Sequence, residues 1–258
     1  MNESLRNQPI GVFDSGMGGL TVMRALIERL PHESFVYLGD TARLPYGSKS
    51  ADTVRRYAVQ CARALMQHRI KLLVVACNTA SATALPALAE MLKPVPVLGV
   101  IEPGAEAAVK AAPSGRIAVI ATEGTVTGGA YQRAIHARNP AAVVTQQACP
   151  LFVALAEEGL TEGLIVELAA KRYLDPVLSG ASPDCLVLGC THFPVLRETI
   201  ARVAGPRVNL VDSAETTAIA VERLLNEQGL ARTAGIRTLR FLATDAPDRS
   251  GRRHTPWL

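Results

Sequence analysis

Two cysteines stand where a chain of alternating strands and helices would carry reactive groups. Cys77 closes the apolar run LLVVA and is followed at once by Asn78 and Thr79, while Cys190 closes CLVLG and is followed by Thr191 and His192. Four consecutive apolar residues at 72–75 leave no polar face, so the strand they predict must be covered on both sides, as strands of parallel sheets are. Ligands of open parallel sheets bind beyond the carboxyl ends of the strands, which is where both thiols fall. The other three cysteines read as core; Cys61, for instance, repeats at helical spacing with Val54, Tyr57, Ala58 and Leu65, and Cys149 and Cys185 lie in apolar surroundings.

Three chemistries use such thiols. Zinc is poorly served, because Cys190-x-His192 and Cys185-x4-Cys190 lack the paired short spacings of structural sites, so no metal is expected. A cysteine hydrolase would pair Cys190 with His192 as its base and leave Cys77 without a role. Acid and base chemistry with one thiol on each side of a carbon uses both, since a thiol with an ordinary pKa of about 8.5 can lose and regain a proton near neutrality. Each thiol then needs a partner: Asp14 for Cys77, and His192 or a carboxylate of Glu157-Glu158 for Cys190. The plain alternatives are that Asp14 and His192 cap helices and that Glu157 and Glu158 are solvated helix-end charges. Spacing alone does not choose.

The elements that must position these groups alternate. Residues 10–14 form a strand, and Ser15-Gly16-Met17-Gly18-Gly19 a glycine-rich turn before a helix over 20–30. The turn suits an anion, although Thr21 replaces the third glycine of a dinucleotide fingerprint and no P-loop lysine is present. Strands follow at 34–40, 72–77, 95–100, 116–122, 142–146, 185–190 and 208–212. Helices are predicted at 50–68, 80–92, 126–138, 151–158, 162–178, 194–203 and 214–228. This predicts βαβ units and an α/β fold of mainly parallel sheets flanked by helices. Asp14 precedes Cys77 by 63 residues and Thr122 precedes Cys190 by 68, which suggests duplicated halves with the site in the cleft between them. Residues 1–97 with 211–258 are expected to form the first domain, because the strand-like segment at 236–243 returns to it, and 98–210 the second.

Composition bounds the function. The formal charge is +4, but five Arg against Asp245 and Asp248 after residue 236 supply +3 of it, leaving a nearly neutral body. No nucleic acid partner is expected; Arg249, Arg252 and Arg253 read as a frayed, solvated tail. No apolar run approaches the ~18 residues of a membrane span, and MNESLRNQP has no apolar signal core, so the expected address is the cytoplasm. Five cysteines, an odd number, fit reduced thiols.

Asp14-Ser15-Gly16 with Gly18-Gly19, Pro45-Tyr46-Gly47, Ala76-Cys77-Asn78-Thr79-Ala80, Glu157-Glu158-Gly159 and Gly189-Cys190-Thr191-His192 together resemble the bacterial glutamate racemases, in order and spacing, across nearly the whole chain. The resemblance implies a cofactor-independent racemase that interconverts L- and D-glutamate for peptidoglycan synthesis. It places Cys77 and Cys190 on opposite faces of Cα, with Asp14 assisting Cys77 and His192 with Glu158, preferred over Glu157, assisting Cys190. It further implies substrate contacts from Asp14, Ser15, Tyr46, Gly47, Asn78, Thr79, Thr122, Thr125, Thr191 and His192, with glutamate as the small-molecule substrate, no membrane partner, and a homodimer left open. Gly128 stands where the family commonly has serine, and Ala154 where it has proline. The alternatives are a related aspartate racemase, or a ligand-sensing or partner-inhibiting protein on the same fold.

Overall fold

A computed structural model describes residues 3–180 and 182–245. The tail arginines Arg249, Arg252 and Arg253 lie outside the described residues. The first part of the chain runs α1 (Glu3–Arg6), β1 (Ile10–Asp14), α2 (Leu20–Arg29), β2 (Phe35–Gly39), α3 (Ala51–Met66), β3 (Leu72–Val75), α4 (Asn78–Met91), β4 (Val97–Gly99) and α5 (Ile101–Ala111). A second series follows: β5 (Arg116–Ala121), α6 (Glu123–Thr127), α7 (Ala130–Arg138), β6 (Val143–Ala148), α8 (Pro150–Glu157), α9 (Leu164–Leu178), β7 (Cys185–Gly189), α10 (Arg197–Ala204) and β8 (Asn209–Asp212). The chain ends in α11 (Ser213–Glu227) and β9 (Leu239–Ala243).

The strands form two sheets, ordered β4-β3-β1-β2-β9 and β6-β5-β7-β8, and every pairing is parallel. Written from the other edge, the second sheet is β8-β7-β5-β6, the order of the first without β9. The duplication expected from spacing is thus a duplication of topology. β9 returns to pair with β2, as the strand character of 236–243 predicts. The boundaries expected at 97 and 211 fall inside paired strands, since β4 pairs with β3 through Gly99 and β8 pairs with β7 through Asp212.

Each lobe has its own outer core. Phe13, Leu73 and Val75 pack with α3 and α4 on the first sheet, and Ile120, Leu186 and Leu188 pack with α8 and α9 on the second. The inner faces share one core, in which Val12 and Val74 of the first sheet join Val119 and Val187 of the second through residues of α2, α5, α7 and α11. The lobes are therefore tied by an apolar seam and not by linkers alone.

Two local departures have clear causes. The helix predicted over 126–138 is two helices, because the chain turns at Gly129, whose φ of +60° is the left-handed region that favours glycine. α5 is not among the elements the sequence predicts. Pro103 stands in the first turn, where its missing N–H costs nothing, and Gly104 lets the ring of Tyr131 approach within 3.2 Å of where a Cβ would stand.

Candidate active site

In an open parallel sheet the crevice forms where successive crossovers leave in opposite directions. In this order those points lie between β1 and β3 and between β5 and β7. β1 ends in Asp14 and β3 leads into Cys77; β5 leads into Thr122 and β7 into Cys190. Asp14, Ser15, Asn78, Thr79, Thr122, Thr125, Thr191 and His192 are all buried there, and the two cysteines are each only 5% exposed.

Cys77 is the N-cap of α4, and its Sγ accepts the Ala80 N–H at 3.5 Å. Burial, then the negative charge of Asp14, pushes its thiol up to about 12, against the pull of the Ser15 hydroxyl and the Ala80 N–H; charge on Cys190 raises it further. Asp14 is held by the glycine turn. Its Oδ2 accepts the Gly16 and Gly19 N–H groups, each at 3.0 Å, so the anion this turn binds is the protein's own carboxylate. Its Oδ1 is buried without a protein partner. Burial raises the Asp14 carboxyl above the usual range, although the positive charge of His192 and the turn N–H groups act to lower it.

On the second lobe, His192 Nδ1 lies 3.7 Å from Cys190 Sγ and its Nε2 lies 2.5 Å from Glu157 Oε1. Burial favours the neutral ring, but hydrogen bonds and negative charge from Cys190 and Glu157 outweigh it and raise the pKa from 6.5 to about 10. His192 is therefore held toward the imidazolium, with Nδ1 facing the Cys190 sulfur and Nε2 on a carboxylate. The carboxylate so placed is Glu157, which corrects the expectation of Glu158. Glu158 is the exposed C-cap residue of α8, while Glu157 shares a helix face with Val153 and with it lines a cavity of about 250 Å³ beside Thr122. His192 also precedes a 3₁₀ turn at Phe193–Leu196, but its side chain caps nothing there.

The lobes meet through small residues. A Cβ on Gly18 would stand 2.7 Å from His192 Nδ1 and from Thr191 Oγ1, so this glycine is where the first lobe lies directly on the second. Thr21 Oγ1 donates to the Gly18 carbonyl at 2.9 Å and shares that proton across the lobes with the Thr191 carbonyl at 3.3 Å. Thr79 of the first lobe and Thr122 and Thr125 of the second form a triangle of hydroxyls with sides of 2.9, 3.2 and 3.0 Å. Gly47 packs on Thr122, where a Cβ would fall 2.5 Å from Thr122 Cβ. The expected contact Tyr46 is buried with its hydroxyl donated to Asp40 Oδ2 at 2.5 Å, so its side chain anchors the loop and its neighbour Gly47 faces the second lobe.

Three residues have no role assigned by the sequence reading. Asp40 takes Tyr46 on one oxygen and the Thr244 hydroxyl of β9's end on the other, at 2.8 Å. Thr21 was noticed only as a missing glycine. Tyr131 donates to Asn78 Oδ1 at 2.8 Å across the lobes. Asp40 ends the strand beside β1, the one signal by which it could have been found. The five cysteines are all free. Among the described residues no helix is long and apolar enough to cross a membrane.

Residues 10–221 match the family model described as Asp/Glu/Hydantoin racemase. The chain is 53% identical over 223 residues to a glutamate racemase of Geobacter metallireducens, covering 86% of this chain and 82% of that one. It is 46% identical over 242 residues to one of Chlorobaculum parvum, covering 93% and 89%. Among solved structures, the glutamate racemase of Francisella tularensis in complex with D-glutamate superposes with a TM-score of 0.91 at 39% identity, covering 98% of this chain and 94% of that one.

Proposed function

The chain belongs to the Asp/Glu/Hydantoin racemase family, and on that premise we propose that it interconverts L- and D-glutamate, one cysteine removing the Cα proton while the other delivers a proton to the opposite face. The observation that carries this is the pairing of Cys77 and Cys190. Each leaves the switch point of its own sheet, each has its own proton partner, and charge on one acts on the other.

The reaction needs one thiolate and one thiol at a time. The thiolate takes the Cα proton, the C–H electron pair moves into an enolate on the α-carboxylate, and the opposite thiol returns a proton to carbon. The two cysteines finish with their states exchanged, ready for the reverse direction. His192, as an imidazolium, neutralises negative charge at Cys190 and can pass its Nδ1 proton there. Asp14, held rigidly by two N–H groups with a second oxygen unengaged, is the corresponding group beside Cys77. Asn78 Nδ2, buried without a protein partner, and the hydroxyls of Thr79, Thr122, Thr125 and Thr191 are donors suited to a carboxylate whose charge grows as Cα is deprotonated. Nothing in this scheme requires a Schiff base. We place the enzyme in the cytoplasm, supplying D-glutamate for peptidoglycan, a compartment that keeps free thiols reduced.

The test is deuterium exchange at Cα. Purified enzyme in deuterated water, given either glutamate enantiomer without cofactor, should incorporate deuterium and lose optical rotation, and Cys77→Ala and Cys190→Ala should each abolish racemisation. Absence of exchange with glutamate overturns the assignment, faster turnover of aspartate moves it to that substrate, and full activity in either alanine variant removes the two-thiol mechanism.

A further inference from the structure

Tyr131, on α7 of the second lobe, is fully buried between two backbones. A Cβ built at Gly104 would stand 3.2 Å from its Cε1 and hydroxyl oxygen, and one at Gly189 would stand 3.0 Å from its Cε2. Gly189 immediately precedes Cys190, so the ring is fixed against the backbone that carries one thiol. Its hydroxyl crosses to the first lobe and donates to Oδ1 of Asn78 at 2.8 Å, and Asn78 immediately follows Cys77. Burial and the negative charge of Cys190 and Asp212 push the phenol well above its ordinary range, so it stays protonated and remains a donor.

An asparagine amide has a donor end and an acceptor end of nearly equal shape. A phenol O–H that must donate takes the oxygen end, and the nitrogen end is thereby directed away from it. Asn78 Nδ2 is buried and has no protein partner. A buried N–H left in that state costs about 1–3 kcal/mol, which a ligand acceptor recovers.

We infer that Tyr131 is a positioning residue: from the Cys190 lobe it locks the Asn78 amide with Nδ2 presented as a donor for a carboxylate of the substrate. The inference rests on the racemase reading above. It also gives Asn78 a part in discrimination, because a fixed donor rewards a carboxylate and leaves nothing for a cation.

The test is a double-mutant cycle. Tyr131→Phe removes only the oxygen and leaves the ring between Gly104 and Gly189. It should raise KM and the dissociation constant of racemic glutamate, measured by calorimetry, at least tenfold. Asn78→Ala should do the same, and Tyr131→Phe added to Asn78→Ala should cost less than a further twofold. A merely structural tyrosine would give independent, multiplying losses. The calorimetric arm needs no turnover, so a slow Asn78→Ala protein still returns a value. Should Tyr131→Phe fold poorly, Asn78→Asp keeps an acceptor for the phenol and turns the donor into an oxygen, with an expected loss of at least a hundredfold in affinity. Wild-type affinity in Tyr131→Phe or in Asn78→Asp, or multiplying losses in the cycle, overturns the inference. Failure of the wild-type enzyme to exchange the Cα proton of glutamate overturns the racemase reading instead.

Discussion

Replacing Glu157 by Gln tests what keeps His192 charged. Gln keeps an oxygen that can accept from Nε2 but removes the negative charge. Burial alone would hold the ring neutral, and Cys190 and Glu157 together raise its pKa from 6.5 to about 10. That rise is worth about 5 kcal/mol in favour of the imidazolium. The Glu157 side chain is 29% exposed, so solvent screens part of its share, and about 2–3 kcal/mol is a fair allotment for a charge-assisted bond of this kind. Its loss should lower the His192 pKa by about 2, to about pH 8. Measured as exchange at Cα across pH, the basic limb of kcat/KM, which reports the free enzyme, should move from near pH 10 in the wild type to near pH 8. Stability should follow. A folded pKa above the unfolded one contributes stability that is fully present below pH 6.5 and lost as pH rises through about 10, so Glu157→Gln should be the less stable protein below about pH 8 and match the wild type above about pH 10. Glu158→Gln, at an exposed helix end, should leave the limb in place. An unmoved limb in Glu157→Gln, or an equal movement in Glu158→Gln, refutes the reasoning.

Gly18→Ala would put a methyl 2.7 Å from His192 Nδ1 and Thr191 Oγ1. The lobes must separate or the imidazolium must move, and kcat/KM should fall at least tenfold for a stability cost of about 1–3 kcal/mol; unchanged kcat/KM with unchanged melting would mean the lobes do not work at this approach. Far from the site, buried Lys71 pairs with Glu33 at 2.6 Å and donates to the carbonyls of Arg6 and Leu230 at 2.6 and 2.8 Å. Lys71→Met strands the buried Glu33 charge and should cost about 3–5 kcal/mol in denaturant unfolding with glutamate KM unchanged; a loss below about 1 kcal/mol would show that the pair is not a structural tie.

The parts of the site legible in the sequence were those fixed by local pattern. A run of apolar β-formers that stops at a cysteine marks a strand end, and in a parallel sheet a strand end is a place where ligands bind, so Cys77, Cys190 and Asp14 could be chosen without coordinates. What failed was whatever depends on rotation or contact between elements. Glu157 and Glu158 differ by about 100° on a helix, and the burial of Phe152, Leu155 and Ala156 against the second sheet sets which one faces inward. The glycine turn was read as a general anion cradle, yet its N–H groups are spent on Asp14 and its Gly18 exists for contact with Thr191 and His192. Tyr131 gave no signal, because its importance comes from Gly104, Gly189 and Asn78, which meet only in three dimensions.

The cross-lobe contacts also bear on how substrate reaches two sulfurs that are each 5% exposed. A molecule that must touch both thiols has to lie between the lobes, so the bonds joining the walls there must part. Those bonds are cheap: the triangle of Thr79, Thr122 and Thr125 consists of hydrogen bonds between neutral groups, each worth about 1 kcal/mol net, and Thr21 reaches Thr191 only with a proton it shares with the nearer Gly18 carbonyl. The seam behind them is not cheap, since α2, α5, α7 and α11 share one apolar core with both sheets. Opening should therefore bend the molecule about that seam and break only the polar front. On the proposed function, a carboxylate arriving at the threonines offers charge-assisted bonds of about 1.5–3 kcal/mol each in exchange for neutral ones. The hydroxyls that hold the lobes together without substrate are then the same groups that gain most by taking it, and closing over a dicarboxylate returns more than closing over nothing.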